Sequence, residues 1–248
     1  MDGVRARSWL LGALPLALGC GALDDQTCEV PSADISAVAQ VVDSGWDIRA
    51  AIDFERGDRR GTSAPLELCE TDTLTIAGLE PEVVAKASRV EYAVTFEPDA
   101  ERRFEFVLDR GDEDERIAFE LELPVAFEIV SPAADAPLQI GEPQVVQWEP
   151  AGEEGSTILV GLTEALGGGQ CLVTTDPDVP YEERLGVPVP DTGQWTVKAN
   201  ELGTESLEPC VATYTLTRLT LGAYPASFGR GGRLEARVER YRDVVIQP

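Results

Sequence analysis

"WDIRAAIDFE", Trp46 to Glu55, alternates apolar and polar side chains along its length. Trp46, Ile48, Ala50, Ile52 and Phe54 fall on one side; Asp47, Arg49, Asp53 and Glu55 fall on the other. A period of two marks a strand with one face in the core and one in water. The same pattern returns in "RVEYAVTFE" (Val90, Tyr92, Val94, Phe96), "RRFEFVLDR" (Phe104, Phe106, Leu108) and "RIAFELELP" (Ile117, Phe119, Leu121, Leu123). Between these runs lie "RGDRRG", "EPDAE" and "RGDEDE", polar segments with turn chemistry. Several short alternating strands separated by turns predict an antiparallel β-sandwich.

The second half repeats the logic with different residues. "FEIVSPAADAPLQIGEPQVVQWEPAG" holds a strand ending in Ser131-Pro132, then Leu138, Ile140 and Gly141, then a strand carrying Val146 and Trp148. "STILVGLTE" turns Ile158, Val160 and Leu162 inward, "GQWTVKA" supplies Trp195 and Val197, and "CVATYTLTRLTL" aligns Cys210, Ala212, Tyr214 and Leu216. From Phe127 to Leu221 this resembles the immunoglobulin-like or fibronectin-III-like modules of extracellular bacterial proteins. The resemblance implies that Trp148 packs between two sheets. Trp46, Trp148 and Trp195 are all read as core residues.

The last segment changes sign. From Leu216 to Pro248, six arginines (218, 230, 233, 237, 240, 242) face three acids, Glu235, Glu239 and Asp243, within a chain of net charge -25. A basic tail on an acidic body is expected to dock, as one or two strands, against the acidic sheet.

The N-terminus has a separate meaning. Arg5 and Arg7 precede "WLLGALPLALG", an apolar run of eleven residues. A bilayer-spanning helix needs about twenty, so this is the core of a signal peptide. "ALGC", Ala17 to Cys20, resembles the bacterial lipobox, with Ala17 where leucine is usual. The resemblance implies cleavage before Cys20 and a diacylglyceryl group on its thiol. Gly21 rather than aspartate after the cysteine implies the outer membrane.

Lipidation of Cys20 also resolves an odd count of five cysteines. Cys28, Cys69, Cys171 and Cys210 remain, and the simplest pairing is Cys28 with Cys69 and Cys171 with Cys210. Two other connectivities are open on sequence alone. The expected organisation is all-β: a signal peptide at 1–19, a lipidated Cys20 and tether at 20–34, and two tandem immunoglobulin-like β-sandwich domains at 35–125 and 126–248.

Chemistry is constrained by what the chain lacks. It has no histidine, so a Ser–His triad, a Cys–His pair and a histidine zinc site are all missing a member. Its acidity excludes a nucleic-acid partner. No cofactor is required. Calcium is the one specific alternative, because Asp109, Asp112 and Asp114 (with Glu113 and Glu115), and Asp176 and Asp178 (with Glu182 and Glu183), cluster oxygen ligands in loops. The plainer reading of both loops is a solvated turn. The expected function is therefore non-catalytic: a membrane-anchored envelope protein whose sandwiches contact a protein or a glycan. A glycan-active enzyme or accessory protein using two carboxylates is the alternative.

Overall fold

The structure is a computed structural model that describes residues 25–57, 64–86, 89–139, 141–164, 186–197 and 209–247. Two single turns of 3-10 helix, Thr27–Glu29 and Ser32–Asp34, precede the first strands, β1 (Ile35–Asp43) and β2 (Ile48–Arg56). The first half continues with β3 (Ala64–Leu66), β4 (Thr73–Ile76), β5 (Glu82–Lys86), β6 (Arg89–Phe96), β7 (Arg103–Arg110) and β8 (Glu115–Glu122). The second half holds β9 (Glu128–Ser131), β10 (Ala136–Gln139), β11 (Gln144–Glu149), β12 (Thr157–Glu164), β13 (Val187–Pro190), β14 (Gln194–Val197), β15 (Cys210–Leu221) and β16 (Arg233–Gln247). No α-helix occurs among the described residues. The chain is all-β, and its strands build two sandwiches in tandem.

The two sandwiches share one sheet. Its strands run β13-β12-β15-β16-β1-β2-β6-β5, with β3 attached to β2 and β10 to β16. The junction is the parallel pair β1–β16, from Val38 opposite Arg233 to Asp43 opposite Val238. Two smaller sheets, β4-β7-β8 and β14-β11-β9, complete the sandwiches.

Strand parity shows where they sit. Leu234, Ala236, Val238, Val244 and Ile246 of β16 are all buried, and alternate residues of a strand share a face. β16 touches both β8 and β9, so both smaller sheets cover that same face. Phe228 links the layers of the first sandwich, 6.3 Å from Phe54 on the shared sheet and 6.4 Å from Phe119 on β8, centroid to centroid. In the second, Trp148 is fully buried with Val146, Ile158, Val160 and Tyr214, the position that the immunoglobulin-like resemblance implies.

The basic C-terminal segment supplies the end of β15 and all of β16, and it lies inside the sheet rather than over it. Its outward residues make an ion-pair ladder: Arg233 to Glu235 at 2.6 Å, and Arg237 to Glu235 at 3.5 Å and to Glu239 at 2.8 Å. β16 thereby carries its own counter-charges. The acidic strands β2 and β6 are met by Arg89, 3.1 Å from Asp53, and by Lys86, 2.6 Å from Glu91.

The stretch read as a tether, 20–34, differs from expectation where it is described. From Gln26 onward it is bound to the body. Gln26 bridges to Glu67, and the Thr27 amide donates to the Glu67 carbonyl at 2.9 Å. Cys28 is disulfide-bonded to Cys69. The Arg110 side chain is buried beneath this segment and donates to the carbonyls of Thr27 at 2.5 Å and Val30 at 2.9 Å. A covalent link and a buried guanidinium outweigh the turn-prone composition.

Candidate binding surface

β1 ends at Asp43, opposite Val238, while β16 runs on to pair with β10 from Val244. Both neighbours use the same edge of β16, so a gap opens beside residues 239–243. The turn between β1 and β2 fills it. This turn is tightly held: the Ser44 amide donates to the Asp47 carbonyl at 3.0 Å, and the Ser44 hydroxyl donates to the Asp47 carboxylate at 2.5 Å. Gly45 adopts φ +94 and donates its amide to the Asp43 carboxylate at 3.0 Å, a conformation that favours glycine.

Trp46 follows directly, and it is not a core residue. It is 68% exposed because β2 begins only at Ile48, so the apolar–polar alternation runs two residues beyond the strand. Its ring stacks on Tyr241, with centroids 5.6 Å apart and planes inclined by 25°. Tyr241 is 39% exposed and donates its hydroxyl to the Glu239 carboxylate. Burial, followed by the neighbouring Glu239 charge, pushes the Tyr241 hydroxyl well above its ordinary range, so it remains a hydrogen-bond donor at neutral pH. Asp243 lies on the same face, accepting from the Thr213 hydroxyl at 2.6 Å. Trp195, the third tryptophan, is partly buried against the core.

Beneath this pair, arginines fasten the connection between the sandwiches. Arg240 donates to the Asp43 carboxylate at 2.9 Å and to Glu128 at 3.2 Å. Arg102 bridges Asp43, at 3.2 Å, and the Pro124 carbonyl, at 2.6 Å. Arg218 donates to the Val125 carbonyl at 2.9 Å and lies 4.7 Å from the centroid of the Phe127 ring. The aromatic pair therefore rests on a braced junction.

Arg218 also closes a buried network. It binds both oxygens of Asp191, at 2.6 and 2.9 Å, and the Trp148 indole N–H donates to the same carboxylate at 2.7 Å. Burial alone would raise the Asp191 carboxyl; the Arg218 and Trp148 donors outweigh it and hold the group below its ordinary range. A groove of about 450 Å³ runs alongside, lined by Glu122, Pro124, Val125, Gly152, Asp191 and Arg218 among others. Both polar ends of Arg218 and Asp191 are engaged in the protein itself, so the groove offers little chemistry.

The other candidate residues are placed as follows. Asp109 is held by Arg116 at 3.1 Å, Asp112 is exposed, and Asp114 sits in the turn at φ +48. Glu113 and Glu115 point to Ser32, at 3.1 and 2.5 Å, and Glu113 also to Arg110 at 2.8 Å. No group of three or more acidic or cysteine side chains among the described residues is placed to hold a metal. Cys210 is disulfide-bonded. Cys20, Cys171, Asp176 and Asp178 lie outside the described residues.

No pattern in the sequence marks Trp46 and Tyr241 as a pair. "DSG", Asp43 to Gly45, is a turn signal immediately before Trp46, and it would have removed that residue from the strand. The partner, nearly two hundred residues later, has no local signal.

No protein-family model matches the chain, and no curated protein matches it. Among solved structures, it is similar to a chimeric titin Z1Z2-Z1Z2 tandem functionalised with a GRGDS exogenous peptide from fibronectin, at 10% identity and a TM-score of 0.21, over 85% of this chain and 97% of that one. It is also similar to the Yersinia pseudotuberculosis adhesin InvE, at 11% identity and a TM-score of 0.23, over 87% of this chain and 59% of the adhesin. Superpositions this loose carry no argument about function.

Proposed function

We propose that this chain is an exported, lipid-anchored envelope protein whose two sandwiches form a non-catalytic contact module, with the outer membrane as its site. The observation that carries the reading is Cys20, which ends an apolar run of eleven residues and lies five positions before the first described residue, Asp25. Five residues of extended chain reach at most about 18 Å. An acylated Cys20 would therefore keep the body close to the bilayer, and each buried methylene would add about 0.8 kcal/mol of attachment.

Two features of the body favour contact over catalysis. The chain has no histidine to act as a general base. The buried Asp191 and Glu91 are each committed to cationic partners within the fold, Asp191 to Arg218 and Glu91 to Arg49 and Lys86. The test is fractionation of cells making the native chain and Cys20→Ala. The native chain partitions with membranes and the variant with the soluble fraction. Equal partitioning of the two would overturn the anchor.

A further inference from the structure

We propose that Trp46 and Tyr241 form a stacking platform for a neutral, flat-faced glycan chain, one built of equatorially linked (β-1,4) pyranose rings. This deepens the contact role proposed above by naming a ligand class, and it stands whether or not Cys20 is acylated.

The chemistry of the patch selects the ligand. Trp46 is the most exposed large hydrophobic side chain described, at 68%, and its ring is held by a turn locked at Ser44, Gly45 and Asp47. A rigid, prepaid orientation lowers the entropic penalty of binding. The residues around it are not apolar. Glu239, Tyr241 and Asp243 share the outer face of β16 by strand parity, and Thr215 and Thr213 stand opposite the last two on β15. Glu239 is buried and committed to Arg237 and the Tyr241 hydroxyl, so the exposed Asp243 and the hydroxyls of Thr213 and Thr215 supply the rim. An aromatic surface edged in this way matches a pyranose, which shows C–H bonds on its face and hydroxyls at its rim. Ionised carboxylates accept strongly from such hydroxyls.

The same surroundings disfavour other occupants. A protein contact needs a contiguous apolar core; among the described residues Thr213 and Asp243 separate the two rings from the exposed Val211, so no such core is formed. An anionic glycan or phosphate would meet a chain of net charge -25. Among the described residues both rings are exposed, Trp46 at 68% and Tyr241 at 39%, so the platform suits the interior of an extended chain rather than a chain end.

The experiment titrates the purified full-length protein, in a detergent without sugar headgroups, with cellohexaose and with N-acetylchitohexaose. Tryptophan emission and calorimetry are followed. Saturable binding to at least one hexaose, with a shift in emission, is expected. Trp46→Ala and Tyr241→Ala each weaken it about tenfold or more, and Trp46→Phe retains most of it. Both alanine changes are at exposed rings, and their melting temperatures report that the fold is kept. Failure of both hexaoses to bind at millimolar concentration, or binding that Trp46→Ala leaves unchanged, overturns the proposal. Self-association lost in Trp46→Ala, without sugar binding, also overturns it and assigns the patch to a second copy. Lipid on Cys20 is read separately by mass, so failure of the glycan site leaves the anchor standing, and the reverse.

Discussion

The Arg218 guanidinium and the Asp191 carboxylate meet at 2.6 Å with both side chains at most 5% exposed. Asp191 follows β13, and Arg218 lies in β15 and also donates to the Val125 carbonyl at the junction. The pair joins the tryptophan core of the second sandwich to the connection between the halves. Asp191→Ala leaves a buried guanidinium without its counter-charge and is expected to destabilise by about 3–5 kcal/mol. The double variant Asp191→Ala with Arg218→Met costs less than the sum of the two singles, because neither then strands a charge. Urea denaturation of the four proteins checks this; additive losses would show that the two residues are not coupled.

The same carboxyl sets an acid limit. Its folded pKa is held below the unfolded value of about 3.9. Between the two, the unfolded chain binds more protons, so stability falls as pH falls. This contribution is complete above the unfolded value and is lost as pH drops through the folded one. Glu91, whose burial is outweighed by Lys86 and Arg49, acts in the same direction. Stability measured from pH 5 to pH 2 falls less steeply in Asp191→Asn than in the native chain.

Tyr214 contributes to an alkaline limit, in the same direction as Tyr241 and Tyr92, whose hydroxyls are also raised. Its hydroxyl is buried without a hydrogen-bond partner among the described residues, and burial pushes it up to about 12. The protonated form is the one the fold accepts. Stability from this group is present below the unfolded value of about 10 and is lost as pH rises towards 12. Tyr214→Phe flattens the loss above pH 10 and leaves neutral stability unchanged or raised, since it removes an unsatisfied polar atom. Denaturation at pH 7 and pH 11 reads both effects.

The N-terminal attachment is separable from the rest. Cys28 and Cys69 close a loop with a sequence separation of 41, and such a closure contributes about 4 kcal/mol on the chain-entropy model. Cys28→Ser with Cys69→Ser is expected to lose an amount of that order. Amide exchange at Thr27 and Val30 accelerates before exchange at Val41 or Ile52. Uniform acceleration would show that the segment unfolds only with the whole domain.

The tryptophans divide by position. Trp148→Ala removes a fully buried side chain and costs about 3–5 kcal/mol. Trp46→Ala removes an exposed one and changes stability by at most about 0.5 kcal/mol. Thermal melts of the two variants check the contrast.

What was legible in the sequence follows from what is local. The alternation of Ile48, Ala50, Ile52 and Phe54, and of Phe104, Phe106 and Leu108, reports burial directly, and all seven are buried. Trp46 fits the same arithmetic but stands outside the strand, since period alone does not mark where pairing starts. The parallel β1–β16 junction joins residues far apart in the chain, and no local pattern names a strand's partner. Asp191 and Arg218 were hidden for another reason. With 45 acidic residues, nothing local distinguishes the one that burial and a guanidinium select.

The central claim is attachment of an all-β contact module to a membrane through Cys20. It is tested most directly by the mass of the N-terminal peptide from protein recovered in the membrane fraction. The account predicts a peptide that begins at Cys20 and carries diacylglyceryl and fatty-acyl groups. A peptide that retains residues 1–19, or one in which Cys20 is unmodified or bonded to another cysteine, would contradict it.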